Sequence, residues 1–526
     1  MTGDAPKSKI PKGTPETVRV TMQTPTGATD SSLGIRVVGS RAAAKHPLVT
    51  LGDSLTHGFQ SAAIFNTDLS WAALVARAGG YYGSFRRPHY DKYGGLPLNL
   101  EYLQRELESK YPPPITVARI VEALFFLRGE MADICHYWQD GDGAVVPRNS
   151  LINHDLATFG FDLRDAMSLT PAYIKTLIAG THENLLLPLV THGKERAALR
   201  TLPYFDPGDP GTRAMTCIEA ARALGDDGGI DTLVVILGAN NVLGITMDLC
   251  LRWSGDNYDD LTGKQDYNIW RPEHFAAEFA EMASMIADVN ARRVIVATVP
   301  HVTVAPLLHG IGGKVIDPDE STSRYFRYYS RPWFDESDFL PGRIPPPHLT
   351  ENDVRTVDSV IDQYNETIVA TVQAARNAGR DWHLFDLRWL LDRLAVRRYI
   401  EWPPSLLPLN WTPYPLPPTL AGLNPVPDTR FWQSNASGRL QGGIVALDGI
   451  HPTTVGYGIM AQEIINVMKS AGVDVADIDF DWLLGQDTLM SNPPTGFDAS
   501  FEALKWLDER VEFFRHLFSP GSTTKC

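Results

Sequence analysis

Ser54 follows a short apolar run, Pro47-Leu-Val-Thr-Leu51, across Gly52 and Asp53, the pattern of a buried strand handing over to a turn and then a helix. Far along the chain, Asp448-Gly-Ile-His451-Pro452 places a carboxylate three residues before an imidazole. A serine hydroxyl is a poor nucleophile until a base removes its proton, and a neutral His451 can be that base. Asp448 can accept the other ring N–H, which fixes the tautomer and stabilises the imidazolium that forms. Taken alone, Ser54 reads as a polar turn residue. With Asp448 and His451 it becomes a candidate nucleophile for acyl transfer. No serine has Gly at both −2 and +2, so the nucleophile elbow of the α/β-hydrolases is absent. No His/Asp/Glu cluster has metal-ligand spacing, and no metal or other cofactor is expected.

These residues need a frame. Three further apolar runs resemble the first: Thr232–Leu237, ending in Gly238-Ala-Asn-Asn241; Arg293–Pro300, after a helix-like stretch at about 272–290; and Trp382–Leu387. Before the last of these, Ile361, Tyr364, Ile368, Val372 and Ala375 step by three or four, as on one face of an amphipathic helix. Continuous Val/Ile/Leu strands separated by helices predict an α/β fold with a parallel sheet covered on both faces. Polar residues cluster just after the strand ends, where open α/β sheets place their sites.

With strand and helix contexts assigned, a resemblance becomes legible. Gly52-Asp-Ser-Leu-Thr-His-Gly58 resembles the first sequence block of the GDSL or SGNH hydrolases, serine esterases, lipases and acyl-transfer enzymes on a flavodoxin-like three-layer fold. Asn153-His-Asp-Leu-Ala-Thr-Phe-Gly160 is similar to the second block and nominates Gly160; Gly94-Gly95 is a rival without a preceding strand. Gly238-Ala239-Asn240 matches the third block, with Asn241 where the family usually has Asp, and Asp448–Pro452 matches the fourth. The blocks occur in family order over residues 47–470. The resemblance implies Ser54 as nucleophile, His451 as base and Asp448 as its orienter. It assigns the oxyanion hole to the backbone N–H groups of Ser54 and Gly160 and the side-chain amide of Asn240. An amide donates without titrating, and glycine lets the backbone approach a substrate closely. Asp53 reads as a helix cap and His57 as a packing or rim residue.

The organisation expected is a mobile arm over 1–45, with a short strand at Ile35–Val38, a catalytic domain over 46–475 and a helical extension packed on the core over 476–526. Insertions interrupt the domain at about 81–150, with a helix around Ile115–Phe126, and at 302–350 and 398–440. The last is rich in Pro and aromatics, and its 399–435 stretch either forms a wall or lid of an acyl pocket or makes a surface excursion that packs on its own aromatics. Phe431, Trp432 and His301 are the tentative substrate-binding residues. In the extension, Leu504, Leu507, Val511, Phe514 and Phe518 share one helical face.

Composition narrows the partners. Of the 526 residues, 44% are hydrophobic and 21% charged, which is ordinary for a globular chain. A net charge of −15 and the lack of any Lys/Arg-rich run speak against nucleic acid. No apolar run approaches the roughly 18 residues of a membrane span, and the N-terminus lacks the apolar core of a secretion signal, so a cytoplasmic location is expected. Cys135, Cys217, Cys250 and Cys526 suggest no disulfide framework. The expected function is hydrolysis of carboxylic esters with an apolar acyl part. Sugar deacetylation stays open, as do acyl transfer to an alcohol through the same acyl-enzyme and a non-catalytic binding role on the same scaffold.

Overall fold

The four apolar runs form the centre of the molecule. Strands β1 (His46–Gly52), β2 (Ile230–Ile236), β3 (Ala291–Ala297) and β4 (Trp382–Phe385) make one parallel sheet in that order. This computed structural model describes residues 5–22, 27–39, 43–112, 117–147, 151–179, 188–203, 215–315, 324–403, 407, 411–497, 505 and 508. Outside β1 the segment 153–158 runs parallel to it: Thr50 N–H donates to His154 O, and Leu156 and Thr158 N–H donate to Thr50 O and Gly52 O. Counting that segment, strands in chain order lie in the spatial order 2-1-3-4-5.

Successive residues of each strand enter different apolar layers. Val49, Leu51, Leu233, Val235, Val294, Val296 and Leu384 pack against helices α3 (Cys217–Asp226), α4 (Pro272–Ala287) and α5 (Glu351–Asn377). Leu48, Val234, Ile236, Ile295, Ala297 and Phe385 pack on α2 (Trp71–Ala78), α6 (Leu387–Leu394) and α7 (Thr454–Ser470). A sheet apolar on both faces explains why the runs lack polar alternation. The α5 stripe falls as its spacing predicts, with Ile361, Tyr364, Ile368 and Val372 fully buried. Each such side chain stabilises the fold by about 1.5–3 kcal/mol relative to exposure. Capping boxes start α3 at Thr216 and Glu219 and α5 at Thr350 and Asp353, satisfying N–H groups the helices leave open.

The arm departs from expectation. Its described residues are anchored: Val18 and Val20 are buried in the core, Thr21 N–H donates to Ser359 Oγ, Lys9 pairs with Glu351, and Leu384 N–H donates to Ser31 O beside β4. Composition alone hid a few apolar residues able to dock on α5. No strand forms at Ile35–Val38. In the first insertion the helix runs over Val117–Gln139, longer than expected, after another at Leu100–Lys110. The second insertion folds as a small antiparallel sheet of His309–Lys314, Phe326–Ser330 and Leu349–Thr350. At the C-terminal side, short helices Phe480–Gln486 and Thr488–Ser491 follow α7, with Phe480 and Leu483 in the α7 layer. Leu504, Leu507, Val511, Phe514 and Phe518 lie outside the described residues. Cys217 is a buried free thiol. Among the described residues no helix is long and apolar enough to cross a membrane.

Candidate active site

The hand-over from β1 to α1 (Ser54–His57) is tight. A Cβ on Gly52 would lie 2.2 Å from Thr56 Oγ1 and 2.5 Å from its Cβ, so only glycine lets the helix turn back so closely on the strand. Asp53 caps α1 by accepting the Leu55 N–H at 3.0 Å. Its other oxygen is buried without a partner, and burial pushes its pKa up to about 7. Ser54 is thereby fixed as the first residue of α1, at the C-terminal end of β1.

His451 and Asp448 reach it from the turn before α7. His451 Nε2 lies 2.9 Å from Ser54 Oγ, and His451 Nδ1 lies 3.0 Å from Asp448 Oδ2. The Asp448 Oδ1 accepts the backbone N–H groups of Ile450 and His451, both at 2.9 Å, while Oδ2 also accepts the Ala62 N–H at 2.9 Å. Burial opposes a charge on this carboxylate, but His451 and these N–H groups outweigh it and hold the pKa below the usual range. The Ala62 donor comes from a two-residue hairpin turn between Phe59–Gln60 and Ala63–Ile64. Ser61 and Ala62 stand there at φ 51° and 66°, left-handed conformations that L residues adopt at a cost. Backbone strain at this turn aims an N–H at the orienting carboxylate. Nothing in the residue types Ser-Ala signals such a turn. The Phe59 ring, 4.6 Å from the His451 ring, backs the imidazole.

The three nominated oxyanion donors lie along neighbouring strand ends. Gly160 follows the 153–158 segment at φ +74°, a left-handed conformation suited to glycine. The Asn240 amide, in the turn after β2, donates one N–H to Phe161 O at 2.8 Å, which ties the two loops together and leaves its second N–H available. Among the described residues the Ser54 and Gly160 N–H groups donate no hydrogen bond to the protein. The rival Gly95 instead packs against the Ile64 backbone, and its carbonyl accepts the Trp138 indole N–H. Asn241 is fully buried with its side-chain amide unpartnered within the protein.

Of the two roles expected of His57, packing and rim, the structure shows packing. His57 is fully buried, and its Nδ1 accepts the Phe159 N–H at 3.2 Å, one residue before Gly160. That bond leaves the ring proton on Nε2, facing Tyr90 Oη at 3.1 Å, and Tyr90 donates onward to Ala197 O. Burial pushes the His57 pKa down to about 3, so the ring stays neutral and keeps accepting.

Ser54 and His451 open onto a cavity. Its walls are almost wholly apolar, including Leu243, Val302, Leu394, Ile444, Ile459 and Met460. His301 lines it as well, but both ring nitrogens face carboxylates, Asp392 at 3.0 Å and Asp362 at 3.3 Å. Burial disfavours charge on this ring, yet Asp392, Asp358 and Asp362 raise its pKa to about 10. The other two tentative binding residues lie elsewhere. Trp432 is completely buried with its indole N–H on Ser434 Oγ, and Phe431 packs under Gly449, where a Cβ would meet its ring at 2.6 Å. Phe431 thus supports the Asp448–His451 turn from behind. Of the two readings of 399–435 the self-packed excursion fits: of its described residues only Thr429 lines the cavity, while Trp411 packs on Tyr399 and Tyr414 bonds Glu463. The aromatics of that stretch satisfy one another and the helices beneath. Among the described residues no group of three or more His, Cys, Asp or Glu side chains could hold a metal ion. No model of a known protein family matches the chain, and no curated protein matches it significantly.

Proposed function

We propose that the chain is a serine ester hydrolase of the GDSL or SGNH type, acting on carboxylic esters with an apolar acyl group. The observation that carries this reading is the hydrogen-bonded series Ser54–His451–Asp448 opening onto the apolar cavity. The strand order 2-1-3-4-5 supports a flavodoxin-like frame. Ser54 follows strand 1 and Asn240 follows strand 3, so they flank the point where the order reverses.

In this mechanism Ser54 Oγ attacks the acyl carbonyl carbon while its proton passes to His451 Nε2. Asp448 stabilises the resulting imidazolium without taking its proton. The carbonyl oxygen, now an oxyanion, is held by the Ser54 and Gly160 N–H groups and the free N–H of Asn240. Collapse breaks the bond to the alcohol oxygen, which leaves with the proton from His451. Water then repeats the sequence on the acyl-enzyme and releases the acid. With the acyl chain in the cavity, each added methylene removed from water contributes about 0.8 kcal/mol, or roughly a fourfold rise in kcat/KM. A series of p-nitrophenyl esters tests this beside acetylated sugars. The reading expects a stepwise climb from acetyl upward until the cavity is full. Activity on acetylated sugars with no gain along the acyl series contradicts it.

A further inference from the structure

The nominated donor Gly160 sits in a run of four residues, 159–162, and each of the four is held by a different side chain. The Phe159 N–H donates to His57 Nδ1 at 3.2 Å, and the Phe161 carbonyl accepts from the Asn240 amide at 2.8 Å. The other two residues are held by lysines. A Cβ on Gly160 would lie 3.1 Å from Lys194 Cδ, so the lysine stem lies against the bare glycine. Asp162 Oδ2 accepts from Lys264 Nζ at 2.7 Å.

Both lysines converge on the short helix Leu163–Ser168, which Asp162 caps. Asp162 Oδ1 accepts the Asp165 N–H at 2.9 Å, so its two oxygens divide between cap and lysine. Asp165, only 1% exposed, faces Lys194 Nζ at 3.0 Å and Lys264 Nζ at 2.5 Å, one on each carboxylate oxygen. Burial disfavours its charge, but the two lysines outweigh burial and hold its pKa below the usual range. Glu195 also lies 3.9 Å from Lys194. Lys194 belongs to the first turn of the helix Gly193–Thr201, and Lys264 to the same β2–α4 connection as Asn240. That connection therefore grips two adjacent loop residues, Phe161 through Asn240 and Asp162 through Lys264.

We propose that Lys264 and Lys194 are positioning residues that hold the Gly160 N–H at the oxyanion by fixing the loop around it. An oxyanion donor works only within about 2.7–3.1 Å of the developing charge. Neither lysine lines the cavity, and both ammonium groups face carboxylates, so each acts through the loop. This inference rests on the ester-hydrolase reading, whose oxyanion hole it concerns.

The test compares Lys264→Met, Lys264→Arg and Asp162→Asn in the full chain. Asparagine keeps an oxygen for the Asp165 N–H and gives up the charge that faces Lys264, so Asp162→Asn carries the test if Lys264→Met does not fold. Active sites are counted by end-point fluorophosphonate labelling, so a loss of folded enzyme does not lower the measured kcat. Per labelled site, Lys264→Met and Asp162→Asn should each lower kcat by about 10–10²-fold with KM unchanged. Their effects should be less than additive, and Lys264→Arg should keep most of the activity. Hydrogen exchange read by mass spectrometry is independent of turnover: peptides spanning 156–162 should exchange faster in both variants while β2 stays as in the wild type. Wild-type kcat per site in both variants overturns the proposal, as does exchange that is unchanged at 156–162 or rises equally in β2. A wild type that is neither labelled nor active overturns the ester-hydrolase reading instead, and exchange at 156–162 still decides whether the lysines hold the loop.

Discussion

Replacing Asp448 with asparagine should cripple turnover while the fold survives. Four donors converge on this carboxylate: the Ile450 and His451 N–H groups on Oδ1, and the Ala62 N–H and His451 Nδ1 on Oδ2, all at 2.9–3.0 Å. Asparagine offers one acceptor oxygen and a donor NH₂. If the oxygen serves the two N–H groups of its own turn, the NH₂ faces Ala62 N–H and His451 Nδ1. His451 can then accept from it only as the tautomer with a bare Nδ1 and a proton on Nε2. That Nε2 cannot take the Ser54 proton. A wrong-tautomer loss of this kind is about 10⁴-fold in kcat, or roughly 5 kcal/mol of transition-state stabilisation. The orphaned Ala62 N–H costs a further ~1–3 kcal/mol of folding stability, visible as a lowered Tm. Steady-state kinetics on the preferred p-nitrophenyl ester, with circular dichroism to verify folding, measures both. A folded Asp448→Asn enzyme with kcat within tenfold of wild type refutes the reasoning.

Three other outcomes are expected. Asn240→Ala should lower kcat by about 10²–10³-fold with KM little changed, because the lost bond strengthens in the transition state; a normal kcat would remove Asn240 from the oxyanion hole. His57→Phe keeps a ring but leaves the Phe159 N–H unpaired beside Gly160, so kcat should fall by up to about 10²-fold. Its effect should be less than additive with Asn240→Ala, whereas full additivity would separate His57 from the oxyanion loop. Burial raises the Asp155 pKa to about 7 from 3.8, so its contribution to stability is complete below pH 3.8 and is lost as pH rises through 7. Asp155→Asn, which mimics the protonated acid, should gain in Tm over wild type between pH 4 and 8, and the opposite trend would show the carboxyl ionised in the fold.

The parallel sheet was legible because every strand is buried on both faces and so reads as an unbroken Val/Ile/Leu run. Ser54, Asn240 and His451 were legible because each directly follows a strand or precedes a helix at a position the chemistry requires. His57 was legible as a packing residue, but its hydrogen bond to a backbone N–H some hundred residues away, at Phe159, was not. The Ser61–Ala62 turn was invisible since its left-handed residues are neither Gly nor Asn. The aromatics at 431 and 432 were misplaced for a related reason: residue type gives their apolar area but not where they pack. Lys194 and Lys264 are remote in sequence from 159–162, and only the fold brings them to that loop.

The central claim is that Ser54 is a nucleophile activated by His451. A fluorophosphonate probe tests it directly, because the probe phosphonylates a serine only where a base activates it and an oxyanion hole receives the charge. Intact-mass and peptide analysis should show one adduct per chain, on Ser54, with none on Ser54→Ala and strongly slowed labelling of His451→Ala. An unlabelled wild type, or an adduct that persists on another serine in Ser54→Ala, would contradict the account.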